Sequence, residues 1–229
     1  MPMQFDKRTG KLIMPERTMP LTEDNIVFKC NWNDAGWKGI CSKKARDYNV
    51  LKKHRWCINP NNGCGNFIKN GKKEFPCYES HLFIDFVMEP GTYLKGEKGL
   101  TQEDKYIRGG ERGKLAFLTT ISPDVDEKNR YFIGILDIEK IEHEREVYGN
   151  KKTSIIISPK IRLKFWNYFK NKDGSLLWGC GLVRYLDDEI ALKILFDLKK
   201  EYDKLLGFEK EKRNLDILIK RYKKYLNGG

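Results

Sequence analysis

Hydrophobic and polar positions sort most clearly into strand-length runs in the middle of the chain. Lys114–Thr120 (KLAFLTT) and Arg130–Ile141 (RYFIGILDIEKI) are β-branched and aromatic runs of strand length. The segment between them, ISPDVDEKN, carries the Pro and Asp residues that turns favour. This pattern predicts an antiparallel strand pair. Thr153–Ser158 (TSIIIS) adds a third, short strand before Pro159 interrupts it, and a strand or short helix follows through Trp166.

The period then changes to that of a helix. After Asp187 or Asp188, either of which can cap, Ile190, Ala191, Ile194, Leu195, Leu198, Tyr202 and Leu205 fall on one face, and Gly207 is a natural stop. From about Lys210 to Leu226 a second helix gathers Leu215, Leu218, Ile219, Tyr222 and Tyr225 opposite a Lys-rich face. The amino-terminal side is less periodic. Residues 1–25 hold Pro2, Pro15 and Pro20 among charges and read as an extended arm. Residues 26–90 turn to Cys, Trp, Asn and Gly, with a turn-dense loop at Asn59–Asn66 and a strand-like run, HLFIDFVMEPG, from His81.

The expected class is therefore α+β: a curved, mostly antiparallel sheet, a Cys-rich loop elaboration before it and two carboxy-terminal helices. The expected segments are an arm (1–25), a Cys/Trp-rich region (26–90), a β-rich core (91–186) and a helical pair (187–229). The closing Asn227-Gly228-Gly229 reads as a helix stop or a linker to a further domain. At 229 residues and 40% hydrophobic content the chain can fill a core. No apolar stretch follows Met1, so neither a secretory signal nor a membrane span is expected, and the reading is cytoplasmic. In a reducing compartment six cysteines stay as thiols or bind metal.

Charge changes the picture most. The net charge is +12, and it is unevenly spread. Residues 30–75 carry ten basic and three acidic side chains, 76–150 ten and fifteen, and 151–229 nineteen and ten. Two basic blocks flank an acidic one. Residues 151–172 contain Lys151, Lys152, Lys160, Arg162, Lys164, Lys170 and Lys172 without a single acid. Such a block suits a phosphate backbone, although Lys-rich solvated faces also arise without any ligand. On a strand Lys160, Arg162 and Lys164 share one face, beside Phe165, Trp166, Tyr168 and Phe169. Lys43, Lys44 and Arg46 are the corresponding cations of the first block.

Tryptophan is frequent, at positions 32, 37, 56, 166 and 178. An indole with a free face stacks on an unpaired or flipped base, while core packing is its ordinary fate. Trp32, Trp37, Trp166 and Trp178 are the stacking candidates, with Asn31, Asn33 and Asp34 of NWNDAGWKG as groups able to read a base edge. Cys41, Cys57, Cys64 and Cys77 could converge on zinc or on an iron–sulfur cluster, but no pair forms CxxC, and buried structural thiols are the favoured alternative. Cys30, His54 and His81 are reserve ligands, and Cys180 in WGCGL reads as a packed small hydrophobe.

Several catalytic patterns fail in detail. GGERGKL (Gly109–Leu115) lacks the gap and the Ser or Thr of a phosphate-binding loop, and neither HERE (His143–Glu146) nor PCYES completes a zinc motif. In LDIEK, Asp137 and Glu139 share a strand face that Lys140 does not.

Gly113–Ile141 resembles the central strands of the PUA-like superfamily, which includes EVE, ASCH and YTH-type readers of modified bases. CNWNDAGWKGIC early and LLWGCGLVRYLDDEIALKIL late are similar to amino-terminal regions of prokaryotic proteins that continue into helicase or ATPase modules. The resemblance implies a recognition domain that serves an attached motor or nuclease, as in modification-dependent restriction systems. The expected function is non-catalytic nucleic-acid binding, DNA before RNA, with no membrane partner. A magnesium-dependent nuclease using Asp85, Asp137 and Glu139 and a metal-stabilised protein-interaction module are the alternatives.

Overall fold

The structure is a computed structural model that describes residues 24–51, 57, 77–90, 106–107, 109–123, 125–178 and 183–227, together with the backbone of four short strands at 4–6, 11–13, 92–95 and 101–104. Cys64, Cys180, Trp56, His54 and the Asn59–Asn66 loop lie outside the described residues. In chain order the elements are β1 (Gln4–Asp6), β2 (Lys11–Ile13), β3 (Asn25–Lys29), α1 (Lys43–Leu51), α2 (Tyr78–Asp85), β4 (Val87–Met88), β5 (Thr92–Lys95), β6 (Thr101–Asp104), β7 (Leu115–Thr120), β8 (Tyr131–Glu142), β9 (Glu146–Gly149), β10 (Ile155–Ile156), β11 (Val183–Leu186), α3 (Asp188–Asp203) and α4 (Glu209–Leu226).

The class is α+β. A seven-stranded, largely antiparallel open sheet runs β11-β3-β7-β8-β9-β4, with β10 also paired to β8. The expected hairpin of β7 and β8 forms, in register from Leu115 opposite Asp137 to Thr120 opposite Tyr131. The exception to antiparallel pairing is β3, which lies parallel to β7. This strand comes from the Cys/Trp-rich region, yet it occupies the middle of the sheet.

The sheet is covered on both faces, and alternation along its central strands assigns the side chains. Val27, Leu115, Phe117, Phe132 and Ile135 pack with α3, α4 and the aromatic cluster around Phe165. Ile26, Phe28, Ala116, Leu118, Tyr131 and Ile133 pack on the opposite side with Trp37, Leu82 and Phe83. Burial on two faces is why β7 opens on consecutive apolar residues, Leu115 to Leu118.

The two carboxy-terminal helices form where periodicity places them. Asp187 caps α3 by accepting from Ile190 N at 2.7 Å, and Gly207, at φ +80°, ends the connection after it. One expected strand is corrected. The residues of HLFIDFVM form the end of α2 and only a two-residue strand. His81 and Asp85 bond across one helical turn at 2.5 Å, and Phe86, in the left-handed region, closes the helix by donating to Leu82 O at 2.8 Å. A short apolar run bears no decisive period, so packing of Leu82 and Phe83 on the sheet decides.

Candidate nucleic-acid interface

Residues 30–41 leave the end of β3 as a loop organised by its own polar side chains. Asn33 is buried; its Oδ1 accepts from Ala35 N at 2.7 Å and Trp37 N at 3.3 Å, and its Nδ2 donates to Gly39 O at 3.0 Å. Gly36 and Trp37 both take positive φ, 66° and 58°, and the Trp37 indole donates to Asn31 O at 3.1 Å. The loop is tied to α2 by Phe83 N donating to Trp37 O at 3.0 Å. Such closed bonding fixes the loop against the sheet.

A cleft of about 220 Å³ opens where this loop meets the sheet edge near β10. Trp37, Phe83, Tyr131 and Ile156 supply apolar walls, while Lys38 and Arg162 supply cations. A cavity of roughly 150 Å³ is enough for a benzene ring, so one heterocyclic base is a suitable size for this space. Arg162 is held in position: its guanidinium lies 4.1 Å from the Tyr131 ring centroid, and its Nη1 donates to Ser122 Oγ at 3.2 Å. Ser122 Oγ in turn shares a 2.9 Å bond with the Tyr131 hydroxyl. An exposed, oriented guanidinium plane of this kind is a stacking surface for a base.

The expected phosphate rail is extended chain rather than a paired strand, but its alternation persists. Ile161 is buried while Lys160, Arg162 and Lys164 are exposed, and Lys164 makes a single bridge to Tyr131. Lys151, Lys152, Lys170 and Lys172 are exposed as well. Among the described residues none of these seven cations has an acidic partner, whereas Lys43, Lys114, Lys140, Lys199, Lys204 and Lys212 all do. Lys43 pairs with Asp47 at 2.5 Å, Lys44 is exposed on α1, and Arg46 lines a different concavity.

The aromatic and amide candidates divide sharply. Trp166 and Trp178 are corrected to core. They are 5% and 1% exposed and interlock with Phe165, and the Trp166 indole donates to Glu127 O at 2.7 Å. Neither ring retains a free face. Trp37 is 8% exposed and forms part of the cleft wall. Trp32 is half-buried against Tyr48, edge to face at 5.8 Å, in the other concavity. Asn31, Asn33 and Asp34 are corrected from base-edge groups to structural ones. Asn31 holds Glu79, Asn33 builds the loop, and Asp34 accepts from Ser42 N and Oγ at the start of α1.

The second concavity gathers Cys41, Cys57 and Cys77 with Asn31, Trp32 and Glu79. Burial pushes the Cys41 thiol up to about 12, helped by the charges of Cys77 and Glu79. The Cys57 thiol and the Glu79 carboxyl are also raised, each mainly by burial. Among the described residues no three His, Cys, Asp or Glu side chains are grouped tightly enough to hold an ion as they stand. Two of the three acids named for magnesium are committed elsewhere, while Glu139 is exposed towards the far end of β8. Asp137 forms a bidentate pair with Arg221 at 2.6 and 3.2 Å and accepts from Thr153 Oγ1 at 2.5 Å; Asp85 bonds His81.

Sequence reasoning missed Tyr131, Phe83 and Lys38 as parts of one cleft, and Ser122 as the group that orients Arg162 beside it. Only the step from Arg130 to a Tyr at the head of a strand hinted at Tyr131, because the loop and β8 meet solely through the fold. Among the described residues no helix is long and apolar enough to cross a membrane. No family model matches the chain, and no curated protein or solved structure is significantly similar to it.

Proposed function

We propose that this chain recognises nucleic acid, DNA in the first instance, by laying the phosphate backbone along the 151–172 cations and receiving one unpaired or flipped base in the Trp37–Tyr131–Arg162 cleft. The observation that carries this reading is a base-sized aromatic cleft lined by Arg162 of the acid-free cation block. Cations without acidic partners among the described residues release counterions when they meet phosphate, and the Tyr131–Arg162 stack is oriented before any ligand arrives. The resemblance of Gly113–Ile141 to PUA-like readers supports the same role. Modified bases fall within it, since a mostly apolar wall tolerates an added methyl group.

The test is fluorescence anisotropy with single- and double-stranded DNA and RNA of one length across a salt series. Affinity falls steeply with salt, and replacing Lys160, Arg162 and Lys164 together by Glu lowers the log–log slope by about three, one for each phosphate no longer neutralised. Absence of binding to every oligonucleotide at low salt, with the protein folded by circular dichroism, removes the proposal.

A further inference from the structure

We propose that Cys41, Cys57 and Cys77 are the thiolate ligands of a zinc-class metal ion, supported by Glu79, in the concavity beside Trp32. The three sulfurs reach one concavity from three separate places. Cys41 precedes Ser42, whose Oγ accepts from Ala45 N at the start of α1, Cys77 immediately precedes α2, and Cys57 comes from the chain between those helices. Asn31 joins the donors: its Nδ2 lies 2.8 Å from Glu79 Oε2 and 4.0 Å from Cys57 Sγ, and its backbone N–H donates to Glu79 Oε1 at 2.7 Å. Cys41 Sγ is 3.9 Å from Trp32 O.

Three thiols and a carboxyl crowd one space. The cation in the lining is Arg46, and it makes no ion pair with Glu79 among the described residues. A divalent soft ion suits that donor set, because thiolates select zinc and related metals, and it draws the sulfurs inward as they lose their protons. Reactive nucleophilic cysteines require the opposite surroundings, electropositive and stabilising the thiolate. Glu79, fixed through both oxygens by Asn31, is placed as a supporting group of the kind that orients ligands and tunes affinity. The proposal stands independently of nucleic-acid binding, since the base cleft shares none of these donors.

The experiment is elemental analysis of the full chain purified without chelator, together with iodoacetamide labelling read peptide by peptide. The expected result is about one zinc per chain, with Cys41, Cys57 and Cys77 protected from alkylation until the metal is removed. Cys41→Ser, Cys57→Ser and Cys77→Ser each lose the metal, Cys180→Ser keeps it, and Glu79→Gln weakens zinc affinity by roughly 10- to 100-fold. Labelling of the unaltered protein decides the matter even if a variant fails to fold. Equal alkylation of the three thiols with and without added zinc overturns the proposal, as does a disulfide among them or iron with visible charge-transfer absorption.

Discussion

Asn25 is fully buried, and its amide is spent on four partners. Its Oδ1 accepts from Leu115 N at 2.9 Å and from the Tyr222 hydroxyl, while its Nδ2 donates to Asp188 Oδ1 at 2.9 Å and Leu186 O at 3.3 Å. One side chain thereby pins β7, β11, α3 and α4 together. Asp137 does similar work with Arg221, whose side chain keeps 26% exposure against 8% for the acid. Arg221→Ala strands a buried carboxylate. It should cost about 2 kcal/mol in urea unfolding, below the roughly 3–5 kcal/mol of a fully enclosed pair because some solvent remains. Asn33→Ala should cost a similar amount, about 1–3 kcal/mol, by leaving buried loop N–H groups unpaired, and it should also weaken oligonucleotide binding through loss of the Trp37 wall. Equal affinity of the folded variant for oligonucleotides would separate the loop from the site. An Asn in a Trp-rich segment invites a recognition role, but only its surroundings in the fold reveal that it is buried and bonded to the loop's own backbone.

At the scale of elements, the long periodic segments were legible. The β7–β8 pair follows from two apolar runs of strand length about a turn, and both final helices follow from helical spacing, each burying one predictable stripe. The helix α2 was not legible, because the six apolar residues from Leu82 to Met88 satisfy neither period. Its place is set by packing against β8. A Cβ at Gly134 would sit 2.6 Å from Phe83 Cζ and 3.1 Å from Ile155 O. Gly134→Ala should therefore push Phe83 off the sheet, lower stability by about 1–3 kcal/mol and distort the cleft that Phe83 lines. Thermal unfolding and anisotropy on the same sample check both effects. An unchanged melting temperature would mean that α2 does not pack there.

For the whole molecule, the charge pattern along the sequence became a surface pattern only in part. The acidic centre is largely the sheet and its turns, where acids such as Asp137, Glu127 and Glu142 pair with Arg221, Arg130 and Lys140. The 151–172 block kept its cations exposed and, among the described residues, without acidic partners. The first basic block instead divides, with Lys43 paired on α1, Arg46 facing the cysteine concavity and Lys38 at the base cleft. Convergence of Lys38 and Arg162, 124 positions apart in the chain, depends on the parallel placement of β3 beside β7, which no local pattern encodes.

The central claim is that a base, and not the backbone alone, enters the cleft. It is tested most directly by comparing affinity for two single-stranded oligonucleotides of equal length and charge, one carrying bases and one abasic throughout. Base stacking of about 1–3 kcal/mol predicts that the abasic strand binds roughly 5- to 150-fold more weakly. The gap should close when Ile156→Trp fills the cleft. Equal affinity of the unaltered protein for both strands would contradict the account and leave the cations as a bare phosphate rail.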